Sequence, residues 1–332
     1  MKKKKRKSRK KKYAKVSSSL KSSFVPRREK DGQELFAKKP PSRFASERMN
    51  RVISRILSSR EFKSDKEEER FMQSQIMGKH MDEILELTDL DPVDEAQNFA
   101  YEALETENPY EALELAREAL QLDPDCVDAL MIMARLTSRS LPEEIKKAQK
   151  IISRTEQKMG KKYFEENKGH FWGLVETRPF MRAKSFLVSA LRETGKTSEA
   201  IRQAEEMLEL NPNDNQGIRD SLLGMYLETG NLEGARTLFK NYSSEYFAVF
   251  LWGRVLERYL SGDLEGAARI YRKACERNPY VLDYLTGRKR PSFKLGDFYS
   301  PGDESEAILC LQEIGPAWQK HPEAVEWLKS LQ

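Results

Sequence analysis

The chain has 332 residues, with 58 Lys or Arg, 53 Asp or Glu and 3 His, for a formal charge of +5. An apolar fraction of 39% supports a core over most of that length but is too low for a membrane protein, and no run reaches the ~18–20 uncharged apolar residues of a spanning helix. The modest charge hides a split: residues 1–60 hold 22 basic and 4 acidic side chains, a net of +18, which leaves −13 for residues 61–332.

Eleven of the first fifteen residues are Lys or Arg, and the stretch to about residue 45 is rich in Ser, Pro and charge. Such a composition buries too little apolar surface to offset its ordering entropy, so 1–45 reads as a disordered polybasic arm. Its candidate polyanion-binding residues are Lys2, Lys3, Lys4, Lys5, Arg6, Lys7, Arg9, Lys10, Lys11 and Lys12. Clustered cations bind nucleic acid or an anionic membrane surface by releasing counterions. In a nucleated cell the same run also reads as a nuclear-import signal. No apolar segment follows the basic start, so secretory export is not expected.

Residues 46–92 read as amphipathic helices leading into the body. In "SERMNRVISRILSSREF", Val52, Ile53, Ile56 and Leu57 share one face, ringed by Arg48, Arg51, Arg55 and Arg60. A basic amphipathic helix can lie on a membrane, bind a partner or pack on its own acidic body, and the last is favoured. A second helical pattern covers 66–86, and "DLDPVDEA" ends it and caps the next helix.

An internal repeat organises the body. Gly195, Gly230 and Gly262 each precede an alanine by five residues (Ala200, Ala235 and Ala267), with steps of 35 and 32 residues between the alanines. Pro124, Pro212 and Pro279 each follow a small residue by twelve (Ala112, Ala200 and Ala267). A left-handed glycine closes the first helix of a pair, a small residue lets the second approach it, and proline stops the second. Ala96, Phe99, Ala100, Ala116 and Ala119 in the first unit, and Leu187, Val188, Leu191, Ala204 and Met207 in the third, take the matching core positions. Over about 95–280 this pattern resembles the tetratricopeptide repeat (TPR) family, whose period is about 34 residues. The resemblance implies an all-α, tetratricopeptide-like helix-pair solenoid with about five units within 93–280.

The second unit, about 127–160, is degenerate, because Ala148 falls two residues late. An insertion at 160–180 follows it. Residues 281–332 read as C-terminal capping helices at about 304–318 and 322–331, with Ser300-Pro301-Gly302-Asp303 as the capping box of the first. The phrases "NKGHFWGLVETRPFMRA", "ERNPYVLDYLTGRKRP" and "SPGDESEA" also look like bacterial repeat proteins of unassigned activity. They are similar, more loosely, to the helical region of the suppressor-of-tumorigenicity family. Neither resemblance supplies catalytic residues, and the membrane attachment of the second is not carried over.

Chemistry is sparse. Gly195-Lys196-Thr197 matches the end of a phosphate-binding loop, but Ala190 stands where that loop needs glycine and a helix where it needs a strand, so the segment reads as an inter-helix turn. Three His and three Cys (Cys126, Cys275 and Cys310) lack paired spacing. The cysteines read as reduced core residues of a cytoplasmic protein, and no enzyme activity, metal or cofactor is expected.

The candidate partner site centres on 167–184. His170, Trp172, Arg178, Phe180 and Arg182 combine aromatic and arginine side chains, as binding hot spots do, and the two arginines stand about one turn apart. The alternative is that Phe171, Trp172 and Phe180 pack the gap left by the insertion. The first helix of the third unit adds Arg182, Ser185, Ser189 and Arg192 to the expected groove, and that of the fifth adds Val249, Trp252, Leu256 and Tyr259. Gln97 and Tyr101 replace the Lys and Asn with which the chaperone-binding TPR subgroup clamps a terminal carboxylate, which disfavours that ligand. The expected function is a protein-binding scaffold or adaptor for a protein or peptide partner. The alternative is a nucleic-acid-associated factor that binds chiefly through its arm.

Overall fold

A computed structural model describes residues 42–331 apart from 90, 293, 294, 297 and 298. Residues 1–41 of the expected arm, with its ten candidate cations, lie outside the described residues, whereas 42–45 are ordered: Phe44 stacks on Tyr101 with centroids 4.8 Å apart and Ala45 starts the first helix. The chain divides into two compact units, Met1–Thr137 and Ser138–Gln332. Seventeen α-helices and no strand occur among the described residues, so the fold is an all-α array of helix pairs.

In the first unit, α1 (Ala45–Ser58), α2 (Asp65–Phe71) and α3 (Met81–Leu85) precede the pair α4 (Pro92–Glu105) and α5 (Pro109–Leu122), and α6 (Val127–Thr137) packs on both members of that pair. Asp91 caps α4 by accepting from the Val93 and Asp94 amides, with Pro92 at the first helical position, where its missing N–H costs nothing. The single helix expected over 66–86 is instead broken. After α2 comes a π-helical turn at Met72–Ile76, and Gly78 adopts a φ of +76° before α3 starts. The wide turn re-phases the apolar stripe, so that Ile76 joins Ile84, Val52 and Ile56 in one cluster.

The basic helix α1 packs on its own unit. Arg51 and Arg55 reach Asp94 at 3.5 and 2.5 Å, Arg55 also pairs with Asp91, and Arg48 meets Glu105 at 3.3 Å. Those carboxylates lie at the two ends of α4, so the positive face of α1 is neutralised where α4 is most acidic.

The second unit opens with α7 (Leu141–Met159) and α8 (Lys161–Asn167). Three helix pairs follow: α9 (Arg178–Glu193) with α10 (Thr197–Leu210), α11 (Ile218–Glu228) with α12 (Leu232–Asn241), and α13 (Ala248–Leu260) with α14 (Leu264–Arg277). The turns inside the pairs are alike. Gly195, Gly230 and Gly262 have φ of +74°, +73° and +79°, and the next amide bonds back to the first helix: Lys196 to Leu191, Asn231 to Tyr226 and Asp263 to Arg258, at 2.8, 2.8 and 3.0 Å. Ala200, Ala235 and Ala267 are each fully buried where the paired helices touch. Helices α5, α10 and α14 end two residues before Pro124, Pro212 and Pro279, as a residue lacking an amide donor requires. The stretch expected as the second repeat is divided between the units, with α6 in the first and α7, packed on α9, in the second.

The C-terminal part departs from expectation. Helices α16 (Glu304–Gln319) and α17 (Pro322–Ser330) were expected to cap the end of the stack, yet α16 packs on α11, α13 and the short α15 (Tyr280–Leu285) together. The cap of α16 is also shifted. Asp303, not Ser300, accepts from the Ser305 and Glu306 amides, and Pro301 and Gly302 lie outside the helix. A carboxylate beside two free amides outcompetes the hydroxyl three residues earlier.

Candidate functional site

The structure divides the 167–184 cluster by burial. Phe171 and Phe180 are core residues, 0% and 1% exposed, and with Tyr163 and Phe164 from α8 they form an aromatic group with centroid separations of 5.0–6.2 Å. The Phe171 amide donates to the Leu210 carbonyl at 3.1 Å, which ties the insertion to the end of α10. This packing fills the gap before α9, as the alternative reading of the sequence held for both phenylalanines.

The polar members of the cluster lie outside that core. His170 is exposed, and Trp172, Arg178 and Arg182 are half-buried. Arg178 lies over the Trp172 ring at 5.2 Å while its Nε donates to the Trp172 carbonyl at 3.0 Å. A guanidinium held by a ring and a carbonyl is pre-oriented for planar anion recognition. One turn further along α9, Ser185 is half-buried and Ser189 exposed.

Sequence reasoning missed Lys184. Its ammonium is 1% exposed, donates to Gln203 Oε1 and Glu206 Oε2 at 2.8 Å each, and sits 5.7 Å from the Phe180 ring centroid. Nearby, α7, α9 and α10 border an open cavity of about 330 Å³ lined by Ile152, Glu156, Leu187, Arg202 and Glu206 among others. Burial holds the Glu156 carboxyl above its ordinary range, against the opposing pull of Lys184.

The expected groove positions prove to be covered in two places by the chain itself. In the first unit, Gln97 donates to Asp128 Oδ2 of α6 at 2.7 Å, and Tyr101 donates to Glu47 Oε1 of α1 at 2.6 Å. In the second, Val249, Trp252 and Leu256 on α13 are 1%, 0% and 0% exposed. Trp252 had been expected to face a partner. It meets the edge of Trp318 on α16 instead, with centroids 6.3 Å apart, and Tyr259 lies 5.2 Å from Trp327 of α17. The reason is apolar area: an exposed row of Val, Trp and Leu gains most when a helix of the same chain covers it.

Helix α16 is clamped along its length. At its start, Glu306 accepts from the Ala248 amide and from Asn278 Nδ2, both at 3.0 Å. In the middle, Arg192 Nη1 and Ser221 Oγ each donate to Glu313 Oε2 at 2.7 Å, and Arg192 Nη2 donates to the Glu313 carbonyl. Pro316 inside the helix removes the amide that would otherwise bond the Gln312 carbonyl, one position before Glu313. Beyond the end of the helix, Lys320 pairs with Glu228 at 3.2 Å. Arg192 was expected to meet a partner, and its partner here is Glu313.

Among the described residues, no group of three His, Cys, Asp or Glu side chains is arranged to hold a metal ion, and no helix is long and apolar enough to cross a membrane. Burial pushes the Cys126 thiol up to about 12 and Cys310 well above its ordinary value, which keeps both protonated and unreactive. Gly195 and Lys196 lie in the turn between α9 and α10, and Thr197 opens α10.

No family model matches the chain, and no curated protein sequence matches it. Among solved structures, the chain is similar to one described as "Crystal structure of MamA protein", with 15% identity and a TM-score of 0.40, over 56% of this chain and 91% of that one.

Proposed function

We propose that this chain is a non-enzymatic, cytoplasmic protein-binding scaffold, and that a protein or peptide partner engages the face of the second unit carrying His170, Trp172, Arg178, Arg182, Ser185 and Ser189. One observation supports this most directly. The groove positions of α4 and α13 are covered by helices of the same chain, and Arg192 of α9 is held by Glu313, whereas Arg182, Ser185 and Ser189 of α9 keep exposure and adjoin a guanidinium stacked on an indole. Aromatic and arginine side chains that are pre-positioned yet reachable lose little entropy on binding. A carboxylate or phosphate on the partner complements Arg178 and Arg182.

The polybasic arm serves in this reading as a tether to a polyanion, through Lys2 to Lys5, Arg6, Lys7, Arg9 and Lys10 to Lys12. The +18 charge of residues 1–60 also favours the second reading, a factor that binds RNA or DNA chiefly through the arm.

Affinity purification with the full chain, with and without nuclease, separates the two. Under the scaffold reading, captured proteins survive nuclease and are lost in the Arg178→Ala/Arg182→Ala double variant at unchanged helicity. Capture abolished by nuclease sinks that reading in favour of the second.

A further inference from the structure

The seat of α16 is built like a recognition site. Helices α11 and α13 pack side by side, and α16 lies against both. Ala307, Cys310, Ile314 and Ala317 are each fully buried and follow one another at intervals of three and four residues, a single helical stripe. Glu306 and Glu313, seven residues apart, run along the edge of that stripe and reach polar groups on the surrounding elements. On the receptor side, Gly224 of α11 leaves room for the Glu313 backbone, which a Cβ there would strike. Small residues, a central guanidinium and an apolar floor with one large indole are the features by which a groove selects an amphipathic helix.

The seat also carries costs that a permanent core element would be expected to avoid. The indole N–H groups of Trp252 and Trp318 are both buried, and neither has a hydrogen-bond partner. The Asp220 carboxylate, one turn before Gly224, shares the neighbourhood with Glu313, Asp214 and Glu245, with Arg219 opposing them. The chain between α15 and α16 is eighteen residues long (286–303), so α16 is joined to its seat through a long connection. A helix joined to its seat within the same chain competes through local concentration and not through an optimised fit alone.

We infer that the groove between α11 and α13 is a binding site for an amphipathic helix of a partner protein, which α16 fills in cis and from which it can be displaced. The partner helix carries the code that α16 displays: apolar residues at the positions of Ala307, Cys310, Ile314 and Ala317, and acidic residues at those of Glu306 and Glu313. This inference rests on the scaffold reading and adds to it a second, gated surface with a stated ligand class.

The test uses the chain's own helix as the probe. A fluorescein-labelled peptide of residues 300–332 is titrated against the full chain, and anisotropy is read. The wild type binds the peptide weakly, because α16 already occupies the seat. In Glu313→Ala the resident helix loses its clamp while the peptide keeps its own glutamate, so the apparent affinity rises at least about tenfold. Adding Arg192→Ala, which removes the receptor's half of the clamp, cancels the gain. Lys320→Ala, which loosens the far end at an exposed site, gives a smaller rise and serves if Glu313→Ala fails to fold by circular dichroism. Equal, negligible binding to the wild type and to the folded loosened variants overturns the inference. So does a stable dimer of those variants by light scattering, which would mean that a second copy and not a partner fills the groove. Peptide binding that fails while protein capture persists removes the gated groove alone; capture that fails removes the scaffold reading.

Discussion

Gly224 on α11 sits directly beneath the main-chain carbonyl of Glu313 on α16, so near that a methyl group at 224 would collide with that oxygen. Glycine in a helix interior is normally a loss of about 1 kcal/mol relative to alanine. Here the absent side chain is what allows two backbones to meet and Arg192 to reach the same carbonyl. The obstacle is backbone, which cannot turn aside as a flexible side chain could. Gly224→Ala is therefore expected to destabilise the protein by about 1–3 kcal/mol net, despite its better helix propensity. Thermal unfolding checks this, and a variant more stable than the wild type would refute the close-approach argument.

Arg192 and Glu313 are 17% and 18% exposed, which places their pairing between a surface ion pair and a buried one. Removing either side leaves the other's hydrogen-bonding groups poorly satisfied, at a cost of about 2–3 kcal/mol. Arg192→Ala, Glu313→Ala and the double variant should give a coupling energy of about 1–2 kcal/mol by denaturant unfolding. A coupling near zero would mean that apolar packing and the contacts of Glu306 and Lys320 hold α16 without this pair.

Asp220 gives the seat a pH dependence. Desolvation pushes its carboxyl from an ordinary 3.8 up to about 8, with Glu313, Asp214 and Glu245 adding to the rise and Arg219 working against it. Between those two values the folded chain holds a proton that the unfolded chain has released, so this group lowers stability as pH rises from about 4 to about 8 and has no further effect above. Asp220→Asn cannot ionise. Its stability relative to the wild type should grow across that window and then level off, by several degrees in Tm. A difference that stays flat from pH 4 to 9 would show that Asp220 titrates normally.

Lys184 tests a different balance. Its ammonium is almost fully buried, whereas its partner Glu206 is 45% exposed. Lys184→Ala removes both the aliphatic stem and the charge and is expected to cost about 3 kcal/mol. Lys184→Met keeps the stem's volume, and Glu206 can recover water, so its cost should stay within about 1 kcal/mol. Urea unfolding of both variants decides the matter. Equal large losses would mean that the ion pair itself is needed.

Much of this architecture was legible in the chain. Gly195, Gly230 and Gly262 announced turns because only a left-handed residue ends those helices as they end, and the alanines five residues on announced helix contacts. Asp91 and Pro92 marked the start of α4 for equally local reasons. What determines a turn, a cap or an apolar stripe lies within a few residues, so the sequence alone established the helix pairs, their period and the basic-to-acidic split of the chain.

Only the tertiary structure decided what each stripe meets. The apolar face of α16 would look the same whether it capped the stack or lay across α11 and α13, and Arg192 and Glu313 are 121 positions apart, beyond any local signal. Trp252 read as a groove residue awaiting a ligand, and Phe171 as a member of an aromatic hot spot. Both are buried because folding brings apolar surface of the same chain to them first. The hydrophobic effect has no direction of its own. Periodicity therefore specifies which face of a helix is sticky, and three-dimensional packing specifies the occupant.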